Sequence, residues 1–491
     1  MTRTGWKTLL WVLTAALASA VVAEEPLLLS EESGGILELE GERRLEIVGV
    51  NGLIVVRQGK PGELRFAARK SDDTKTERPV ALWLDGSTLR LAPAEGLEDE
   101  PLRLEVSIPA ELDTRFKVVD STVNVSGLRG RVEVSGERLL LTVRSIEAPV
   151  DLELSDSTVQ LVSVTEDVEL QGSEIDGRFD NVGGLLTLNV QIGDIRVNHL
   201  RGELDADLED VVLAGDNLMA LVHVEASGGS ASLFGCRAGA RLILSDTPLE
   251  LRKSKGSVEI DTDAEVRFQE HEGPLTVRGS GAAVYGGKLS GGALEIESSG
   301  AEVRLEDIEG ATMIRGDRLD VHVTGSKGEL TVSTTSSNVQ VDKAQTSVTV
   351  ENDFGDVEIH GATKLVQVFS RDGEVRLDGL KGPAQVRADG PAVEVHWTAF
   401  SGTESSSVEN ARGDVRVSVP TNSRCRIDAH APNGRVESDI EELHVSDDGH
   451  SASGLLNGGR AAAPQVKKPT IEVKAAGDLY VFAAGQLASE R

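Results

Sequence analysis

The sequence predicts an all-β protein whose central part, residues 121–408, is a single-stranded parallel β-solenoid (a β-helix) of about 16 coils, with β-strand caps at both ends. Three observations predict this fold. The stretch aligns with itself every eighteen residues. Apolar residues recur at positions 3, 5, 8, 12 and 14 of each block. Aromatic residues form only 3% of the chain, as expected for a thin core of Val, Leu and Ile.

Each eighteen-residue block predicts one coil with two strands. Positions 3 and 5 alternate with polar residues, as do positions 12 and 14, and this period of two is typical of strands with one buried face. Equivalent strands of successive coils then stack about 4.8 Å apart and complete one another's core. Position 8 is an apolar corner, and a glycine often follows at position 10, where we expect a positive φ angle. These glycines are Gly130, Gly184, Gly202, Gly256, Gly310, Gly328 and Gly382.

The repeat frame slips by one residue between Ala264 and Gly300, where glycine is dense. We interpret the slip as a bulge or a change of loop length within one continuous solenoid. Outward positions also carry a stacking signal, because position 4 of three successive late coils holds Glu358, Arg376 and Glu394. Opposite charges on adjacent strands attract, so this alternation predicts in-register stacking, and chance among many charged residues is the alternative.

The segments on either side of the repeats are rich in strands and are predicted to cap the solenoid, because uncapped ends expose backbone groups that invite aggregation. The N-terminal cap, residues 24–120, has predicted strands at 36–40, 45–48, 53–56, 63–68, 80–84 and 88–91, with charged loops at 70–78 and 95–100. The C-terminal cap, residues 409–491, has predicted strands at 413–417, 426–431, 434–438, 470–474 and 478–482, with a loop at 446–459.

Residues 1–23 have the pattern of a signal peptide. Arg3 and Lys7 precede an apolar run from Leu9 to Leu17, and small residues up to Ala23 offer a cleavage site. The run is short for a membrane span, and an uncleaved anchor is the alternative. We therefore expect an exported, soluble protein without a transmembrane anchor in the mature chain, located in a periplasm, outside the cell or at the cell surface.

The net charge narrows the classes of possible partner, and the spacing of the cysteines predicts the state of the thiols. The formal net charge is −31, which argues against nucleic acid and anionic membranes. The two cysteines lie about ten coils apart, Cys236 at a buried corner position and Cys425 beyond the last coil. A disulfide needs Cα atoms within about 7 Å, so we expect both thiols to be free.

Three short motifs and one longer segment resemble a known family. Gly193-Asp-Ile-Arg-Val197, Gly355-Asp-Val-Glu-Ile359 and Gly413-Asp-Val-Arg-Val417 follow a G-D-V-x-V pattern, and residues 419–439 continue the likeness. In these features the chain resembles a bacterial family of exported β-solenoid proteins that carries an adhesin label and has no known function. The resemblance implies association with the cell envelope and supplies no catalytic residues.

One outward column has the residue types of a binding site. Position 6 of four successive late coils holds Asp342, His360, Asp378 and His396. Stacked carboxylates and imidazoles can ligate a divalent metal or form a pH-sensitive surface, and a solvated stripe is the alternative. The sequence lacks the calcium-binding nonapeptide and the EF-hand loop, so we expect corner residues such as Asp194 and Asp356 to accept hydrogen bonds from local backbone amides.

These features favour a non-enzymatic, adhesin-like or structural solenoid that presents an extended surface to an unknown protein or glycan of the cell envelope. No catalytic motif and no cofactor site is recognised in the sequence. The alternative is a polysaccharide-active β-helix enzyme, a lyase or hydrolase. Such enzymes need long loops that wall a cleft, whereas nearly every coil here has eighteen residues. Ice binding would need a threonine ladder, and position 4 of the first coils (Asn124, Thr142, Gln160, Arg178) is mixed.

Overall fold

The computed structural model describes residues 27–30, 34–39, 41, 43–71, 79–400, 404–456 and 469–484, and in these ranges the chain forms a parallel β-solenoid of about 17 turns and no helix. Each turn contributes one strand to each of two sheets, called here face A and face B. The predicted fold class is therefore confirmed. None of the described residues belongs to a helix that could cross a membrane.

The strands of face A are β2 (Gly34–Glu38), β4 (Gly52–Gln58), β5 (Glu63–Lys70), β8 (Leu102–Ile108), β10 (Ser121–Ser126), β12 (Leu140–Ile146), β18 (Ser230–Phe234), β20 (Leu249–Arg252), β22 (Val266–Glu272), β24 (Val284–Ser290), β26 (Glu302–Ile308), β28 (Asp320–Thr324), β30 (Val339–Asp342), β32 (Val357–His360), β34 (Val375–Leu380), β36 (Ala392–Trp397), β38 (Asp414–Val419), β40 (Val436–Ser438) and β44 (Leu479–Ala483). The strands of face B are β1 (Leu27–Ser30), β3 (Arg44–Val48), β6 (Val80–Asp85), β7 (Thr88–Pro93), β9 (Asp113–Val119), β11 (Val132–Glu137), β17 (Val222–Ser227), β19 (Ala240–Ser245), β21 (Val258–Thr262), β23 (Leu275–Ser280), β25 (Leu294–Ser299), β27 (Thr312–Asp317), β29 (Leu330–Thr335), β31 (Val348–Asn352), β33 (Val366–Arg371), β35 (Ala384–Asp389), β37 (Ser406–Asn410), β39 (Arg426–His430), β41 (Leu443–Val445), β42 (Ser451–Leu455) and β43 (Thr470–Ala475). Four long strands run around a corner and belong to both faces: β13 (Val150–Val164), β14 (Val168–Val182), β15 (Leu186–Asn198) and β16 (Leu204–Asp216).

Successive coils stack in the register that the repeat predicts. Val123 pairs with Leu141, eighteen residues further on, and Leu141 pairs with Val159. The inward positions are almost fully buried along the whole rod, as at Val339 and Val341. Apolar side chains of each coil therefore lie directly above those of the coil before, and the core is continuous.

The slip in the repeat frame is a pair of compensating changes in corner length. Leu249 pairs with Val266, seventeen residues on, whereas Val284 pairs with Val303, nineteen residues on. The parallel pairing continues through both coils. The interpretation of a loop variation within one solenoid is therefore confirmed. A third irregular coil lies later, where Val386 pairs with Val408, twenty-two residues on.

The predicted role of the corner glycines was wrong for six of the seven. Only Gly256 has a positive φ angle; for the others the constraint is the neighbouring coil. A Cβ on Gly202 would lie 1.9 Å from the carbonyl oxygen of Gly184, and one on Gly328 would lie 2.0 Å from that of Gly310. Glycine is needed here because two backbones approach too closely for any side chain.

Positive φ angles instead occur at two other corners of the coil, mostly in non-glycine residues. Asp120, Arg138, Asp156, Glu174, Ile192 and Asp210 stack at one corner, and Ser145, Ser163, Asn181, His199 and Asn217 stack at the other. Among non-glycine residues, Asp, Asn and His adopt this conformation more often than the others. The corners therefore follow from single left-handed residues whose side chains point to solvent.

The parallel ladders extend to both sides of residues 121–408. β3, β4, β7, β8 and β9 are parallel strands of the two faces, and antiparallel β1, β2, β5 and β6 lie beyond them. The predicted strands of both flanking segments are present. The predicted loop at 446–459 was wrong in part, because β42 lies within it and pairs with both β39 and β41. Residues 72–78 and 457–459 of the predicted loops lie outside the described residues.

Spatial order and chain order differ at each end of the rod. β3 and β4 precede β7 to β10 in the chain, yet they lie between β7–β8 and β9–β10. Likewise β43 and β44 come last, yet they lie between β37–β38 and β39–β40. At each end, therefore, one coil lies between two coils that follow each other directly in the chain.

The corner column at position 8 contains several of the buried polar groups of the central coils. Cys236, Ser254 and His271 occupy it in three successive coils, and each is at most 1% exposed. Cys236 and Cys425 are both free, and burial raises the pKa of their thiols to about 12 and about 11. His271 Nδ1 lies 2.7 Å from Ser254 Oγ, and its Nε2 lies 3.2 Å from the carbonyl oxygen of Pro274.

Candidate functional site

The predicted acid–imidazole column lies on the outer surface of face A, in β30, β32, β34 and β36. The strands alternate between buried and half-exposed residues, so Asp342 and His360 point outward while Val341 and Ile359 point into the core. Asp342 pairs with His360, and His360 pairs with Asp378, in the register of successive coils. The sequence therefore placed all four side chains in one column.

Contacts within this column are uneven. His396 Nδ1 lies 2.5 Å from Asp378 Oδ1, whereas His360 Nδ1 lies 3.9 Å from Asp378 Oδ2. Asp342 instead accepts a hydrogen bond from Gln340 and lies 3.3 Å from His322 Nε2. The column therefore contains one close acid–imidazole pair and a second pair that turns toward the preceding coil.

His322 is the site residue that the sequence analysis missed. His322 occupies position 4 of its coil and Asp342 occupies position 6 of the next coil, so the two residues do not lie in one column of the repeat. The imidazole reaches Asp342 diagonally across the face and also contacts Thr324 Oγ1 at 3.1 Å. A search for His and Asp within one outward step on adjacent coils would find this pair, because diagonal neighbours on a sheet lie within reach of long side chains.

These positions do not form a preassembled metal centre in the structure. Among the residues that the structure describes, no three His, Cys, Asp or Glu side chains are close enough together to hold one ion. Asp378 and His396 are the two nearest donors, and the Asp378 side chain is 53% exposed. The metal site at Asp342, His360, Asp378 and His396 stays a prediction, and it would require side-chain movement.

A second outward column confirms the predicted alternation of charge. Arg376 lies 3.6 Å from Glu358 and 3.3 Å from Glu394, and Arg416 lies 3.1 Å from Glu394. Arg416 also lies over the ring of Tyr480, 5.6 Å from its centroid. The hydrogen bond to Glu394 raises the pKa of the Arg376 guanidinium. The column crosses five coils, but each exposed pair contributes little to stability, so its main effect is to order the side chains of this face.

A third column explains the aspartate of the G-D-V-x-V motif. Asp320, Asn338 and Asp356 each accept a hydrogen bond from the backbone amide of the equivalent residue one coil later, and Glu374 is the last donor, 2.9 Å from Asp356 Oδ1. The partner amide is therefore in the next coil rather than local. Asp194 differs from this prediction altogether, since its buried Oδ1 has no partner and its Oδ2 accepts from Arg196.

Face B of the earlier coils has a different character. Its strand residues in six successive coils, 132–137, 150–155, 168–173, 186–191, 204–209 and 222–227, contain 9 Asp or Glu and no Lys or Arg. A depression of about 780 Å³ lies on this face, floored by Gly136 and Gly172 and rimmed by Glu137 and Glu153. Such a surface repels anionic polymers, which disfavours an acidic polysaccharide as the ligand here.

Comparison with known proteins gives one match. Residues 288–468 match the family model described as Toastrack DUF4097, a segment that includes the first and third columns and the second column from Glu358 to Arg416. Over this part the chain is thus similar to an uncharacterised family, and the β-solenoid fold of the chain is compatible with that family. No curated protein and no solved structure matches the chain.

Proposed function

We propose that this chain is an exported, non-enzymatic, adhesin-like or structural solenoid that presents face A of its late coils to a protein or glycan of the cell envelope. The observation that carries the proposal is the uniformity of the coils around this face. On face A the paired strands are seventeen to nineteen residues apart until one coil of twenty-two, so these coils carry no long insertion and the face extends over many of them. The signal-peptide pattern of residues 1–23, which lie outside the described residues, supports export.

The contacts of the charged side chains support a binding surface rather than a catalytic one. A glycosidase needs an acid and a base held on either side of one bond, about 5–9 Å apart, in a site that encloses the sugar. On face A the carboxylates of Glu358 and Glu394 are engaged by guanidinium groups. A partner could meet these ordered charges over several coils, and the binding energy would be spread over many weak contacts.

The test compares two charge-reversed proteins that differ only in the face they alter. Glu358→Lys/Arg376→Glu/Glu394→Lys reverses face A, and Glu351→Lys/Arg387→Glu/Glu409→Lys reverses three residues of face B at almost the same height of the rod. Both variants change the net charge equally. Circular dichroism and melting temperature establish that each remains folded.

Envelope extracts are passed over each immobilised protein, and the captured partner is quantified by mass spectrometry. We expect the face A variant to lose capture by at least about tenfold, or about 1.4 kcal/mol, while the face B variant retains it. Glu358→Lys alone should lose much less. Equal capture by both variants would refute the assignment of the face, and release of unsaturated or reducing sugars from envelope glycan would favour the enzyme instead. Mature protein that begins at residue 24 is the expected sign of export.

A further inference from the structure

The coil formed by β43 and β44 lies inside the sheets although it comes last in the chain. β43 pairs with β37 along one edge and with β39 along the other, through five residue pairs each. β44 pairs in the same way with β38 and β40. β39 to β42, residues 426–455, are called here the end cap, a smaller unit than the predicted C-terminal cap. The end cap precedes β43 and β44 in the chain, yet this later coil separates it from the rod.

The end cap depends on this inserted coil for its strand pairing with the rod. Within the described residues, β39 pairs with β42 and β43, and β40 pairs with β44. Without the insert, the edges of β37 and β38 would face those of β39 and β40 across a slot roughly 10 Å wide, twice the spacing of neighbouring strands. Unpaired edges of this kind are templates for an added strand.

The slot is specific for the sequence pattern of the inserted strands as well as for their backbone hydrogen bonds. Inward pockets hold Ile471, Val473, Leu479 and Val481, each 0% exposed. Asp478 lies between the two strands and is hydrogen-bonded to both edges of the slot. On the rod side its amide donates to the Asp414 carboxylate at 2.8 Å, and on the end-cap side its own carboxylate accepts from the Arg435 amide at 2.9 Å. An occupant therefore needs two alternating apolar strands with an aspartate at the turn.

We propose that the slot between the rod and the end cap is a peptide-binding site. It binds residues 469–484 of its own chain or, in their place, residues 469–484 of another copy of this chain. The same contacts form whether the insert belongs to the same molecule or to another, so exchange changes mainly the entropy of connection. Two rods joined in this way meet at their capped ends and double the binding surface that one partner meets. The insert can be released by local opening of the rod's end without unfolding of the central coils.

A disulfide trap distinguishes exchanged from unexchanged molecules in the full chain. Glu409 and Lys474 are direct neighbours on β37 and β43, and both point outward, so the variant Glu409→Cys/Lys474→Cys can form a bond across this pair. In an unexchanged molecule the bond is intramolecular, whereas in an exchanged pair it joins two chains. The control is Arg387→Cys/Glu409→Cys, a direct pair within the rod where no insert is present. Both proteins also carry Cys425→Ala, because this thiol directly precedes β39 and would be uncovered when the end opens, whereas Cys236 is buried in the central coils.

Each protein is held at low and high concentration below its melting temperature, oxidised, and separated on a non-reducing gel. We expect covalent dimer from the 409/474 variant to increase at least about fivefold with concentration, and the 387/409 control to stay monomeric. Monomer alone at every concentration, or equal dimer from both, overturns the proposal. As a second measurement, a fluorescent peptide of residues 469–484 should enter Ile471→Ala/Val481→Ala protein but not Val339→Ala/Val341→Ala protein. Equal uptake of the peptide by the two variants, or uptake by neither, also overturns the proposal.

Discussion

The buried His271 should make the central rod less stable in acid, and the structure fixes the sign of this effect. The carbonyl oxygen of Pro274 can only accept, so Nε2 carries the hydrogen and donates, and Nδ1 accepts from the Ser254 hydroxyl. The neutral ring thus satisfies both contacts, and its burial disfavours the charged form. The nearest acid in sequence, Glu272, is paired with Lys255 at the surface. Burial accordingly lowers the pKa of His271 below its usual 6.5.

A lowered pKa means that the unfolded chain binds the proton more readily than the folded chain. The stabilising contribution is therefore complete above pH 6.5 and is lost as the pH falls from 6.5 toward the folded pKa. The loss reaches at most about 1.4 kcal/mol for each pH unit in that window. Between pH 7.5 and pH 5.5 we therefore expect the region around β22 to lose protection, by no more than about 1.4 kcal/mol.

Hydrogen exchange measured by mass spectrometry is the suitable assay, because long solenoids open locally rather than all at once. The comparison variant is Ser254→Ala/His271→Leu, which removes both hydrogen-bonding partners and places leucine in a column that already contains Leu289. After correction for the intrinsic pH dependence of exchange, protection of β20–β22 should fall in the native protein and stay nearly constant in the variant. Parallel pH dependence in the two proteins would refute the reasoning.

Further predictions concern the core, the corners and the acid–imidazole column. Val339→Asp places a carboxylate between coils and should cost several kcal/mol, whereas the outward Gln340→Asp should change the melting temperature little; equal melting temperatures would contradict the assignment of faces. Gly202→Ala forces apart two backbones and should destabilise the protein by about 1–3 kcal/mol in thermal unfolding, and an unchanged melting temperature would show that the coils can separate freely. Isothermal titration with zinc or manganese should give heat at pH 7.5 that weakens at pH 5.5, since ligation needs neutral imidazole, and that disappears in His360→Ala/His396→Ala. Absence of heat at both pH values, or heat retained in the variant, would leave the column a solvated stripe.

The eighteen-residue repeat is enough to predict the fold class, the register and the outward columns. Each coil contacts mainly the coils beside it, so one repeat of in and out positions specifies Val123 over Leu141 as firmly as Val357 over Val375. For the same reason the Glu358–Arg376–Glu394 alternation was sufficient to predict ion pairs, and position 6 was sufficient to stack His360 on Asp378. These predictions depend only on neighbours at a fixed distance along the chain.

Other features follow only from the folded structure, because they depend on distances between atoms that the repeat does not encode. The corner glycines are required by a carbonyl of the adjacent coil, as at Gly202, and not by their own φ angle. The diagonal contact of His322 with Asp342 joins two different columns. The insertion of β43 between β37 and β39 pairs segments that are far apart in the sequence, with β39 and β42 between them. A local pattern states which residues face inward, but strand edges accept any matching partner, so only the folded ends establish which segment fills each slot.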